Sequence, residues 1–238
     1  MMKQIKLIFL AVCLLLITGC KKDIPDLSGL LKTVPSSAAA VAGINIRGII
    51  EDLGCKVDGN VIKPGQEVKQ LMENLKESDK TDLLALFDGD SGIVPECAVV
   101  FVDANRTFLT LSIYDTQKFK ATITEGDNKE FVDQGNGVEI CGNIALKGSQ
   151  AWVCLSSNQI DPEGIAAYAS LSQSQSFLNT DMSKPLLESE SDITGWGNFN
   201  SVLSVLLGRG DSNMAKMGVG ILFEGVEALE FTLDFKKG

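Results

Sequence analysis

The chain has 238 residues, 45% hydrophobic and 22% charged, which is enough apolar material to bury a core and too much for disorder over most of its length. Its 31 acidic residues outnumber 21 basic ones and it has no histidine, which argues against a nucleic-acid surface, a histidine-based triad and a Cys/His zinc site.

The N-terminus starts basic with Lys3 and Lys6, runs apolar from Leu7 to Ile17 and ends in Ile17-Thr18-Gly19-Cys20. That is the form of a secretory signal closing on a lipobox, with residues 1–19 removed and the Cys20 sulfur carrying diacylglycerol. A membrane span needs about 20 apolar residues, more than this run supplies before Lys21 and Lys22. Acylation of the new Cys20 amine would add a further chain, and two or more chains make a stable anchor. Losing Lys3 and Lys6 takes the net charge from −10 to −12, so the anchor holds without help from anionic lipid.

Residues 20–36 read as the lipidated cysteine and a tether, with Pro25, Gly29 and Pro35 breaking periodicity and Leu27, Leu30 and Leu31 forming at most a short turn. The domain proper spans 37–238, with a sub-division near 180–191. It opens on a small apolar strand, Ala38 to Asn45, followed by Ile46, Ile49, Ile50 and Leu53 at helical spacing and Gly54 as the stop. Val68, Leu71, Met72 and Leu75 mark a second helix after Pro64, and Thr81 to Phe87 a third.

Cys97 to Val102 reads as a central strand, and Leu109, Leu111 and Ile113 alternate with Thr110 and Ser112, so Asp103 to Arg106 is the turn of a hairpin covered on one side. A short helix over Thr116 to Ile123 precedes strand-like runs at Glu130–Asp133, Val138–Lys147 and Ala151–Leu155, an antiparallel meander. Asp161-Pro162-Glu163 opens a helix to about Leu171, and Ser170 to Ser176 reads as exposed. Asp192 to Asn198 is a strand, Asn200 caps a helix ending at Gly208, and Gly218 to Phe223 is another strand. Leu229, Phe231, Leu233 and Phe235 alternate with polar residues as a strand with one dry face.

These elements predict an α+β fold: mixed, mostly antiparallel sheet with helices packed on one side. Ala38–Leu53 and Asp192–Leu207 both read as strand then helix through an asparagine, Asn45 or Asn198, which suggests two related halves.

The lipobox, Val34-Pro35-Ser-Ser-Ala-Ala-Ala-Val-Ala-Gly-Ile-Asn-Ile-Arg47 and Ile193-Thr-Gly-Trp-Gly-Asn-Phe199 resemble a lipoprotein family of unknown function found in Bacteroides and relatives. The resemblance implies a proline-led strand ending in Asn and then a helix, and supplies no functional residues. Sorting signals of that lineage resemble a lysine-plus-acid cluster. Lys21-Lys22-Asp23-Ile24-Pro25-Asp26 matches it in part, leaving the cell surface and the periplasmic leaflet both open.

Four cysteines remain after processing, Cys55, Cys97, Cys141 and Cys154. Buried free thiols are favoured over disulfides, since a domain of this size needs no staples. Asp88-Gly-Asp90 has the opening spacing of a calcium loop but lacks the later ligands, and Arg209-Gly-Asp211 and Gly218-Val-Gly220 are read as turn and sheet glycines. Glu188, Glu190 and Asp192 are read as a solvated face rather than an acid pair. Trp152 and Trp196 default to core, but Trp196, between two glycines, is the candidate to present a ring to a ligand.

No catalytic, metal or cofactor residue is assigned. The sequence points to an outer-membrane, lipid-anchored envelope protein that binds an envelope protein or glycan without catalysis. A carboxylate-dependent glycan hydrolase and a structural component are the alternatives.

Overall fold

The structure, a computed structural model, describes residues 24–73, 87–125, 129–157, 160–198 and 228–235. Cys20, the expected helix residues 81–86 and the whole stretch 199–227, with its expected helix, strand and Arg209-Gly-Asp211, lie outside the described residues.

Nine strands form one antiparallel sheet: β1 (Ala40–Ile44), β4 (Ile93–Asp103), β5 (Arg106–Ile113), β6 (Val132–Asp133), β7 (Glu139–Cys141), β8 (Ile144–Lys147), β9 (Gln150–Cys154), β10 (Ile193–Asn198) and β11 (Ala228–Leu233). Their spatial order is β11-β10-β1-β4-β5-β9-β8-β7-β6, and a separate hairpin joins β2 (Lys56–Asp58) to β3 (Val61–Lys63). The helices are α1 (Ser28–Leu31), α2 (Ile46–Asp52), α3 (Gln66–Glu73), α4 (Thr116–Thr124), α5 (Pro162–Tyr168) and α6 (Lys184–Leu187). No described helix is long and apolar enough to cross a membrane.

The α+β class holds, but helices take both faces of the sheet. Strand alternation sends Val99, Phe101 and Phe108 to one side, where Leu27, Leu30 and Leu31 of α1 and its approach, Ile165 of α5, Phe177 and Leu186 of α6 join Trp152 and Trp196 in the main core. Ala98, Leu111, Ile113 and Val153 point the other way and meet Phe119 of α4. A third cluster gathers Ile50 and Cys55 with Ile62, Val68 and Met72 beneath the β2–β3 hairpin.

Two expectations change as a result. The stretch read as tether is core from Leu27 onward: Leu31 and Val34 are fully buried, and each such side chain contributes about 1.5–3 kcal/mol. The buried core therefore begins at Leu27, and Ile24 before it is 49% exposed. The β4–β5 hairpin, expected to be dry on one side, is dry on both, because α1 lies over the Thr110 face and leaves that threonine 0% exposed. Its hydroxyl is satisfied by Gln150 Nε2 at 2.7 Å, so burial costs little.

The run Val138–Lys147 is two strands, split where Gly142 takes φ 62° and turns the chain. Ser176, expected to be exposed, is 1% exposed: its Oγ donates to the Leu31 carbonyl, pinning the serine-rich loop to α1. Asn45 caps α2 by accepting from the Gly48 N–H at 2.8 Å, as its place after an apolar strand suggests.

β1 and β10 are antiparallel partners at the centre of one half of the sheet, flanked outside by β4 and β11. The Asn45 N–H donates to the Asp192 carbonyl at 2.8 Å, and the Asn198 N–H to the Ala39 carbonyl at 2.8 Å. Both bonds extend the β1–β10 ladder by one step at either end, as in any antiparallel pair.

Candidate functional site

The β4–β5 hairpin ends in a two-residue turn with Ala104 at φ 47° and Asn105 at φ 61°. Both left-handed residues fit the primed turn that matches strand twist, a conformation natural for asparagine and strained for alanine. Beside this tip the chain has crossed the sheet and opened α5, whose N-cap Asp161 accepts from the Glu163 N–H at 3.2 Å. Hairpin tip and helix together enclose a cleft of about 230 Å³ lined by Ala104, Arg106, Phe108, Asp161, Gly164, Ile165 and Tyr168.

The floor of the cleft is fixed by aromatic packing. Phe101 and Phe108 stack at 5.2 Å, and Tyr168 meets each ring edge-on at 5.5 Å. The Tyr168 hydroxyl donates to Asp103 Oδ2 at 2.7 Å, while Asp103 Oδ1 accepts from Ser37 Oγ at 3.5 Å. Burial first, and the Asp103 carboxylate second, push the pKa of Tyr168 far above the ordinary phenol range, against a smaller opposing pull from Arg106. Among the described residues the Arg106 guanidinium forms no hydrogen bond or ion pair, and Asp161 pairs with no cation.

Sequence reasoning read these residues only as a turn and a helix start. A signal was present: Tyr168, three residues after Ile165, places a phenol on the apolar face of a short helix, where a hydroxyl needs a partner.

Trp196, the residue expected to present a ring, lies in the main core. It is 9% exposed, with its ring 5.7 Å from Phe177. The room expected beside it at Gly195 lies on the opposite face of the strand and is filled by the ring of Phe231, which would sit 2.2 Å from an added Cβ.

Glu188 and Glu190 are exposed, but Asp192, expected on the same solvated face, is 0% exposed and accepts the Phe235 N–H. Asp90 of the calcium-like turn holds Lys118 Nζ at 2.8 Å, and no three described acids or cysteines converge on a metal position. Cys55, Cys97, Cys141 and Cys154 are free and buried. Burial, then Glu96 and Asp26, push the Cys97 thiol up to about 11.

No protein-family model matches the chain, and no curated protein matches it. A solved structure described as crystal form IV of TP0453 is similar over 81% of this chain and 71% of its own, with 13% identity and a TM-score of 0.44. A likeness that distant carries no functional information.

Proposed function

We propose that the chain is a lipid-anchored envelope protein, held through Cys20, that works by binding rather than catalysis and uses the hairpin-tip cleft as its site. The observation that carries the reading is the cleft itself: an unpaired guanidinium and a carboxylate share a recess over an aromatic floor. The titratable phenol there is displaced away from neutrality, which suits a fixed wall and not a proton carrier. The lipobox tetrad ending in Cys20 supports the anchor and an outer-membrane address.

The cleft is below the roughly 300–1,000 Å³ usual for drug-sized ligands. It takes one small group, free or protruding from an envelope protein or glycan. Native mass spectrometry of the full chain, extracted from its own membranes, tests this. A diacylglycerol mass on Cys20 and a small-molecule adduct that disappears in Arg106→Gln are expected. An unlipidated chain overturns the anchor, and a chain without any adduct overturns the cleft.

A further inference from the structure

We propose that the cleft takes an α-amino-acid head: an ammonium and a carboxylate on one carbon, carrying a small side chain. This rests on the cleft being the binding site argued above. Arg106 and Asp161, both exposed, line the same recess with opposite charges, yet they form no ion pair with each other. Opposite charges that line one recess and stay apart leave between them a slot whose complement is a group with both charges in reversed order. The ligand carboxylate pairs with the guanidinium, which offers a fork of donors to two oxygens. The ligand ammonium faces Asp161, whose Oδ1 is already engaged by the Glu163 N–H and whose Oδ2 lies over Gly164.

Gly164 keeps that approach open: a Cβ there would stand 3.1 Å from Asp161 Oδ2. The Tyr168 hydroxyl gives its proton to Asp103, so toward the cleft it offers only lone pairs, a further acceptor for an ammonium.

The same lining disfavours the other small ligands. A divalent cation wants several oxygens and would meet the Arg106 charge. A phosphate dianion would face Asp161, with Asp103 close behind Tyr168. A sugar ring stacks on an open aromatic face, and Phe108 is only 3% exposed. Phe108 and Ile165, the latter 1% exposed, make an apolar floor, and the cleft volume of about 230 Å³ limits the side chain to a small one.

The test is isothermal titration calorimetry on the full lipidated chain in detergent. The probes are L-alanine, N-acetyl-L-alanine, L-alaninamide and the tripeptide L-alanyl-γ-D-glutamyl-meso-diaminopimelate. L-alanine stands for a free amino acid, while the tripeptide bears the same head at the end of a side chain, as a larger envelope molecule would. Binding of L-alanine or of the tripeptide, with the acetylated and amidated forms at least about tenfold weaker, is the expected result, and which of the two binds names the source.

Arg106→Gln should weaken that binding at least about tenfold. Asp161→Asn, which keeps a good helix N-cap, should abolish the preference for L-alanine over N-acetyl-L-alanine. Equal binding of N-acetyl-L-alanine by the unsubstituted chain overturns the amino-acid head while leaving the cleft an anion site. No heat from any probe also overturns it, and the mass-spectrometric adduct then shows whether the cleft binds something else.

Discussion

The carboxylate of Asp192 accepts the backbone N–H of Phe235 at 2.7 Å, tying the start of β10 to the end of β11 across the outermost strand pair. The Asp192 backbone is engaged as well, its carbonyl by the Asn45 N–H and its N–H by Asp234 Oδ1 at 3.4 Å. One buried acid therefore joins β1, β10 and β11 at a single point. A hydrogen bond to a charged group contributes about 1.5–3 kcal/mol. Asp192→Ala should lower unfolding stability by about 2 kcal/mol in urea denaturation followed by tryptophan fluorescence, with Asp192→Asn losing less. A change within error for Asp192→Ala would show that β11 is held by other contacts.

Gly92 offers a sharper test of the turn before β4. Its φ of 71° is costly for any side chain, and an added Cβ would lie 2.2 Å from the Asp115 carbonyl oxygen and 2.7 Å from the Phe119 nitrogen. Both are backbone atoms, and the Gly92 carbonyl accepts from Tyr114 and Asp115, so neither side of the contact can swing away. The left-handed conformation alone costs about 1–2 kcal/mol, and displacing α4 from β5 adds to it. Gly92→Ala should cost more than about 2 kcal/mol, measured by the same denaturation. Gly135→Ala, at φ 84° with open space around it, isolates the conformational part and should cost less.

How much was readable beforehand follows from the range over which each feature is determined. β5, α2 and the Ala104–Asn105 turn are local: alternation, an i, i+3, i+4 pattern and a polar tetrad specify them within ten residues or so. The burial of Leu27, Leu31 and Thr110 is not local, because it depends on α1 folding back onto a strand some eighty residues away. Proline and serine around those leucines looked like linker composition until the sheet supplied a surface for them.

Asp192 illustrates the same limit at a single residue. An acid in an acidic stretch reads as solvated unless the Phe235 N–H is known to sit opposite. The cleft was hidden for a related reason: Arg106, Asp161 and Tyr168 come from two segments, and neither alone shows a charge left unpaired.

Alkaline stability draws on protons that the fold holds tightly, those of Tyr168, Cys97 and Cys55 among them. The pKa values of Tyr168 and Cys97 are both raised, that of Tyr168 through burial and the Asp103 bond, and that of Cys97 chiefly through burial, to about 11. In the unfolded chain the thiol ionises near 8.5 and the phenol near 10. Above those values unfolding releases protons that the native state keeps, so stability is intact below about pH 8.5 and falls as pH rises through the folded values. Urea midpoints measured from pH 7 to 11 should decline over the upper part of that range, and Tyr168→Phe should flatten the part above pH 10. At pH 8 iodoacetamide should modify Cys97 in urea and leave it intact in the native protein. A flat pH profile together with a freely alkylated Cys97 would contradict the burial of both groups.

Ala104 separates the stability of the hairpin from the shape of the cleft. A two-residue primed turn needs positive φ at both central positions; Asn105 tolerates this and Ala104, at φ 47°, does so with strain. Glycine removes the clash between Cβ and backbone that makes the left-handed region costly, at the expense of more entropy in the unfolded chain. Ala104→Gly should therefore leave stability unchanged or raise it by about 1 kcal/mol, with the β4–β5 register intact. Ala104 also lines the cleft, so loss of its methyl is expected to alter the recess beside Arg106. If the strained alanine is kept as a wall, the variant should be as stable as the parent yet bind its small ligand several-fold more weakly in calorimetry. A variant that gains stability and binds unchanged would mark Ala104 as a turn residue with no part in recognition.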